Sequence, residues 1–140
     1  MNKTSYISSF GKTESGADFV TLSGVPYFSA EQTFDCGQCF RFDVAENSVS
    51  GIAFGKLIKI EQDGKNITII GISADEYEEK FAAYLGLDED YGEIRDNIGV
   101  HFGAYGDVIY KAMECAEGIR ILRQEPWEAL ASFIISQNNN

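Results

Sequence analysis

At 140 residues, 44% of them hydrophobic and 13% aromatic, the chain carries enough apolar material for a packed core, which excludes global disorder. A formal net charge of −11 excludes a broad phosphate-gripping face, because phosphate neutralisation needs clustered Lys and Arg; any nucleic-acid contact is local or shared with other residues. No apolar run is long enough to span a bilayer, the opening MNKTSYISSF lacks the apolar stretch of a signal peptide, and three cysteines then read as reduced thiols; the expectation is a cytoplasmic protein, nucleoid-associated in a bacterium.

In chain order, DFVTLSG and VPYFSAEQTF are candidate early strands. From Phe40 to Ser73 apolar and polar residues alternate, with turn residues at AEN, FGK and DGKN, so the segment predicts antiparallel strands. Asp63-Gly64 predicts a tight hairpin whose two central residues both take positive φ. The period changes at Ser73. SADE is a capping box, in which the Ser73 hydroxyl and the Glu76 carboxylate each satisfy an orphan amide, and EYEEKFAAYLGL behind it has helical period. Further helices are predicted from near Asp88 to about Gly99, through YGDVIYKAMECA with Gly118 as the stop, and from Pro126, where Trp127, Leu130, Ala131 and Ile134 form one stripe. The prediction is an α+β chain: an antiparallel twisted β-sheet domain over residues 1–73, then an incomplete α-helical domain over residues 74–140.

The stretch DCGQC, Asp35 to Cys39, admits three chemistries. A redox pair needs its first cysteine at a helix N-terminus within a βαβ unit, whereas this pair leads into an alternating strand. A closed zinc site needs four Cys or His ligands, and only His101 and Cys115 are available besides the pair, so no metal is expected. The plain reading makes the cysteines small side chains flanking a turn, with Gly37 there for positive φ; its functional counterpart is close approach of bare backbone to a planar ligand.

The chain ends in Asn138-Asn139-Asn140, directly beyond an apolar helix. Asparagines often end helices, yet a domain seldom stops at its capping signal, so the chain reads as cut. Taken together, TFDCGQCFRF and GIRILRQEPWEALASFIISQNNN closely resemble the 8-oxoguanine DNA glycosylases, DNA-repair enzymes of the helix-hairpin-helix superfamily. The resemblance covers essentially the whole chain and roughly the front half of such an enzyme. It implies base excision repair with extrusion of the damaged nucleotide, on double-stranded DNA containing 8-oxoguanine, and without a cofactor.

Under that resemblance, Gly37 occupies the position whose backbone carbonyl accepts a hydrogen bond from N7–H of 8-oxoguanine. Oxidation at C8 turns N7 from acceptor to donor; guanine instead sets a lone pair against the carbonyl oxygen, at a cost of about 1–3 kcal/mol, or roughly five- to 150-fold. Asn138 matches the asparagine that enters the duplex and contacts the orphaned cytosine, for which an amide supplies both donor and acceptor. Asn139 and Asn140 match neighbours shaping the same loop. Phe40, Arg41 and Phe133 also match and read as packing and strand-supporting residues, while Phe42 stands where many relatives carry tryptophan.

The family's Schiff-base lysine and assisting aspartate have no counterpart here. The seven lysines, Lys3 to Lys111, read as solvated, so no catalytic residue is assigned and the chain by itself is expected to be inactive. The competing reading is a stand-alone binding module with a sheet platform. In a fragment the apolar face from Trp127 to Ile135 loses packing partners and is expected to promote self-association.

Overall fold

The computed structural model describes residues 6–101 and 106–137. Six strands form one antiparallel sheet: β1 (Ile7–Lys12), β2 (Asp18–Leu22), β3 (Phe42–Ala45), β4 (Ser48–Ala53), β5 (Lys56–Asp63) and β6 (Asn66–Ile70). Their spatial order is β1-β2-β6-β5-β4-β3, so β6 returns to pair with β2 and closes the two hairpin sets into one surface. Strand alternation places one residue of each central strand on the same row: Val20 faces Ile69, Ile69 faces Ile60, and Ile60 faces Val49. All four are fully buried, each contributing about 1.5–3 kcal/mol through removal of apolar surface from water.

The early segment departs from expectation. DFVTL is a strand, but SAEQTF is not. Ser29 is extended and its hydroxyl accepts the Gln32 amide, which starts α1 (Ala30–Asp35); Thr33 and Phe34 then fall on a buried helical face. The hairpin between β5 and β6 forms as predicted but is displaced by one residue. Asp63 pairs with Asn66, so the central residues are Gly64 and Lys65, and of these only Gly64 has positive φ, at 56°. In the β4–β5 turn it is Phe54 and Gly55 that both take positive φ, 51° and 71°.

The capping box forms as read: Ser73 Oγ accepts the Glu76 amide and the Glu76 carboxylate accepts the Ser73 amide. Residues 74–84 then run through α2 (Ala74–Glu76), a π-helical turn (Tyr77–Phe81) and α3 (Ala82–Tyr84). Tyr77, Phe81, Tyr84, Leu85 and Leu87 join α1 and the sheet in one buried cluster. Next come α4 (Tyr91–His101), started by Asp90 accepting the Glu93 amide, α5 (Gly106–Cys115) and α6 (Pro126–Gln137). Gly118, read as the stop of α5, lies just beyond its end at Cys115. It follows α5 without positive φ, and a Cβ there would collide with Ser29, so the glycine permits close approach to α1.

Residues 119–125 are irregular yet strand-like in bonding. The Arg120 amide donates to Thr33 Oγ1 (3.2 Å) and the Leu122 amide to Gln38 Oε1 (2.9 Å) on the α1 side. The Ile121 amide donates to the Tyr91 hydroxyl (2.9 Å) and the Arg123 amide to the Tyr84 carbonyl (3.0 Å) on the other. Arg120 sends its guanidinium into the interior, 1% exposed. Nε donates to the Tyr27 carbonyl (2.9 Å), Nη1 to those of Gly86 (2.5 Å) and Glu89 (3.3 Å), and Nη2 to that of Pro26 (2.7 Å), with the Tyr91 ring 4.2 Å away. Burial pulls its pKa below the usual guanidinium value, against the opposing pull of Tyr91 and Glu89.

Replacing Arg120 by Met orphans several buried carbonyls at once and is expected to lower stability by about 3 kcal/mol, read from urea unfolding. Lys at this position lacks the fork that reaches both loops, so Arg120→Lys is expected to recover less than half of that loss.

Candidate functional site

The DCGQC stretch is the turn that leaves α1 and enters β3. Cys36 is the C-cap of α1, not the helix N-terminus that a redox pair needs. Its thiol donates to the Thr33 carbonyl (3.3 Å) and that of Cys39 to the Phe34 carbonyl (3.7 Å). Burial, with Cys36 alongside, pushes the Cys39 thiol up to about 11. Both are free thiols, placed to close a turn rather than to attack a disulfide.

Gly37 is exposed at φ 84°, and a Cβ built there would meet nothing within 4 Å. Its need for glycine within this chain is therefore conformational, not steric. Its carbonyl accepts no hydrogen bond from the described residues. The turn itself is held firmly. The Gln38 amide nitrogen donates to the carbonyls of Thr33 and Arg120, both at 2.8 Å, and Gln124 Nε2 donates to the Gln38 carbonyl. These bonds join the glycine turn to the irregular segment running into α6.

A second attachment fixes α6 itself. Glu128 Oε2 accepts the Phe54 amide (2.9 Å) and Oε1 the Gly55 amide (2.7 Å), while Arg41 Nη2 lies 2.6 Å from Oε2. The strained tip of the β4–β5 hairpin, the residue before β3 and the first turn of α6 thus meet on one carboxylate. Burial alone would raise the Glu128 pKa; the Phe54 amide, the Arg41 guanidinium and the Gly55 amide outweigh it and hold the group below the ordinary carboxyl range. The Phe54 ring offsets its unfavourable backbone by packing edge-on against Phe81 and Tyr84.

Between these attachments lies a small cleft lined by Cys39, Phe40, Arg41, Tyr84, Gln124 and Ser132 among others. The Phe40 and Phe133 rings sit 6.4 Å apart at its margin, both half-exposed. The α6 stripe is not turned to the sheet: Trp127 is 72% exposed, and Leu130, Ile134 and Ile135 are also exposed. Of the predicted site residues, Gly37 is thus placed on an open turn near α6, whereas Asn138, Asn139 and Asn140 lie outside the described residues. The reading of Arg41 as a packing residue understated it, since it is the ionic partner of Glu128. Gln38, Arg120 and Glu128 were passed over within quoted motifs; the acidic residue in the first turn after Pro126 was the one visible signal.

The chain is thus an α+β protein, an antiparallel sheet followed by helices, the last of them reached by a segment tied to a glycine turn. The crystal structure of Clostridium acetobutylicum 8-oxoguanine glycosylase/lyase in complex with double-stranded DNA containing cytosine opposite 8-oxoguanine matches 96% of this chain and 44% of its own, at 36% identity and a TM-score of 0.78. Its apo-form matches 96% and 45%, with the same identity and TM-score. The Saccharomyces cerevisiae N-glycosylase/DNA lyase is 42% identical over 57 residues, 41% of this chain and 14% of that protein. Residues 23–130 match the family model for the 8-oxoguanine DNA glycosylase N-terminal domain. The chain belongs to the 8-oxoguanine DNA glycosylase family, and it spans less than half the length of these relatives.

Because the Glu128 pKa is depressed on folding, its contribution to stability is complete above the unfolded value and disappears as pH falls through the folded one. Glu128→Gln is expected to cost about 1 kcal/mol at pH 7 and progressively less below about pH 4, seen as converging urea midpoints.

Proposed function

We propose that this chain is the lesion-recognising N-terminal part of a DNA glycosylase and apurinic-site lyase that excises 8-oxoguanine from duplex DNA. The observation that carries the reading is the Gly37 carbonyl: on an exposed residue, without a hydrogen-bond partner among the described residues, and mounted on a turn bonded to the segment before α6. An open carbonyl accepts from N7–H of 8-oxoguanine and repels the N7 lone pair of guanine. Asn138, Asn139 and Asn140 are assigned to the duplex and its orphaned cytosine. The division into a sheet domain, 1–73, and the start of a helical domain, 74–140, belongs to the same proposal.

The chain's own charges support a recognition role rather than a DNA-gripping one. Lys12, Arg41, Lys56, Lys59 and Arg123 are each paired with a carboxylate. No catalytic residue is assigned within the chain. Its DNA-binding cations and its nucleophile are placed in residues beyond it. The exposed apolar face of α6, with Trp127, Leu130 and Ile135, is the surface through which the isolated chain self-associates.

Single-turnover cleavage of a duplex carrying 8-oxoguanine opposite cytosine tests the division of labour. The 140-residue chain is expected to be inactive, and the longer product of its reading frame active; a stop codon after Asn140 with no cleavage would instead favour a stand-alone binding module. Gly37→Ala in the longer protein is expected to cut preference for 8-oxoguanine over guanine by at least about fivefold. Normal excision by that variant would remove Gly37 from the site. Sedimentation of the 140-residue chain is expected to show association that Trp127→Lys abolishes.

A further inference from the structure

We infer that Gln38 is the positioning residue of this site: its side-chain amide holds the Gly37 carbonyl in register with the segment that delivers α6, and so sets how strictly 8-oxoguanine is told from guanine. The inference rests on the reading of Gly37 above. Gly37 has no side chain, meets no atom that would confine one, and bonds to no described residue, so nothing of its own fixes its peptide. The next residue supplies what it lacks. Gln38 Nε2 donates to Thr33 and Arg120 carbonyls at 2.8 Å and contacts Cys36 Sγ at 3.3 Å, while Oε1 accepts the Leu122 amide at 2.9 Å.

That uses both amide protons and the amide oxygen, on two segments more than 80 residues apart in sequence. The backbone of Gln38 is gripped in turn, because its carbonyl accepts from Gln124. Such a clamp matters for one kind of contact above all. Discrimination between a donor and a lone pair at N7 depends on the distance and angle of a single carbonyl, and hydrogen-bond energy falls steeply with both. A turn loosened by about 1 Å admits either base.

Gln38→Met preserves length and removes every bond of the Gln38 side chain, leaving only the backbone carbonyl's bond from Gln124. Gln38→Glu keeps the acceptor for Leu122 and sets a carboxylate oxygen against the two carbonyls. Neither changes an atom that would touch the base. The control is Ile69→Val, in the buried row at the sheet centre, compared with the Gln38 variants at temperatures giving equal fraction folded.

The experiment measures, for the complete protein that carries this chain, dissociation constants for fluorescent duplexes with 8-oxoguanine or guanine opposite cytosine. The wild-type ratio is expected to lie between roughly five- and 150-fold, to fall to within about threefold of unity in both Gln38 variants, and to persist in Ile69→Val. Retention of the wild-type ratio by Gln38→Met and Gln38→Glu overturns the positioning role and leaves Gly37 untouched. Equal loss in Ile69→Val also overturns it, because the ratio then follows stability alone. A wild-type protein with no preference overturns the Gly37 reading and this inference with it.

Discussion

One guanidinium holds the chain's loops in place. Arg120 carries a full charge into the interior and, among the described residues, meets no buried carboxylate there but the carbonyls of Pro26, Tyr27, Gly86 and Glu89 and the face of Tyr91. Each carbonyl belongs to a connection that would otherwise leave backbone oxygens unpaired away from water. The arrangement explains why Tyr27 sits at φ 50°, a costly conformation for a bulky residue: the strained backbone aims its carbonyl at Nε. An arginine suits the task because its planar fork donates in several fixed directions at once.

The candidate site depends on this frame at one remove. The Arg120 carbonyl is an acceptor for Gln38, and the Arg120 amide is bonded to Thr33, so the same residue that closes the interior also fixes the glycine turn. Glu128 performs the matching operation at the start of α6. Two amides from a strained turn and the Arg41 guanidinium converge on its carboxylate, and the helix is thereby seated against the sheet through polar contacts while its apolar stripe stays outside. The candidate site is thus supported in part by charge-assisted hydrogen bonds, whose directionality holds loops more narrowly than apolar packing would.

What the sequence disclosed follows the reach of local physics. The hairpin strands of β3–β6 and the helix entered at Ser73 announce themselves through period, turn residues and a capping box, all within a few neighbours. The start of α6 at Pro126 is legible for the same reason. SAEQTF misled because its apolar residues fit a strand as well as a helix; the deciding bond, from the Gln32 amide to Ser29 Oγ, is local but short of the full capping box. Arg120 was illegible. Its charge is balanced by carbonyls, which have no sequence signature, drawn from segments 31 to 94 positions away. Gly37 is legible as the glycine of its turn, where it takes positive φ, yet its neighbour Gln38, which fixes that turn, looked like any surface amide.

The irregular stretch between α5 and α6 carries a further implication. Connections without secondary structure ordinarily absorb insertions and deletions at little cost. Here the amides of Arg120, Ile121, Leu122 and Arg123 alternate between partners on opposite sides, as in a strand with side chains for neighbours. One added residue would therefore invert every later bond and carry Arg120 or Gln124 to the wrong flank. Length, ordinarily the freest property of a loop, is in this loop as tightly specified as the register of a central strand.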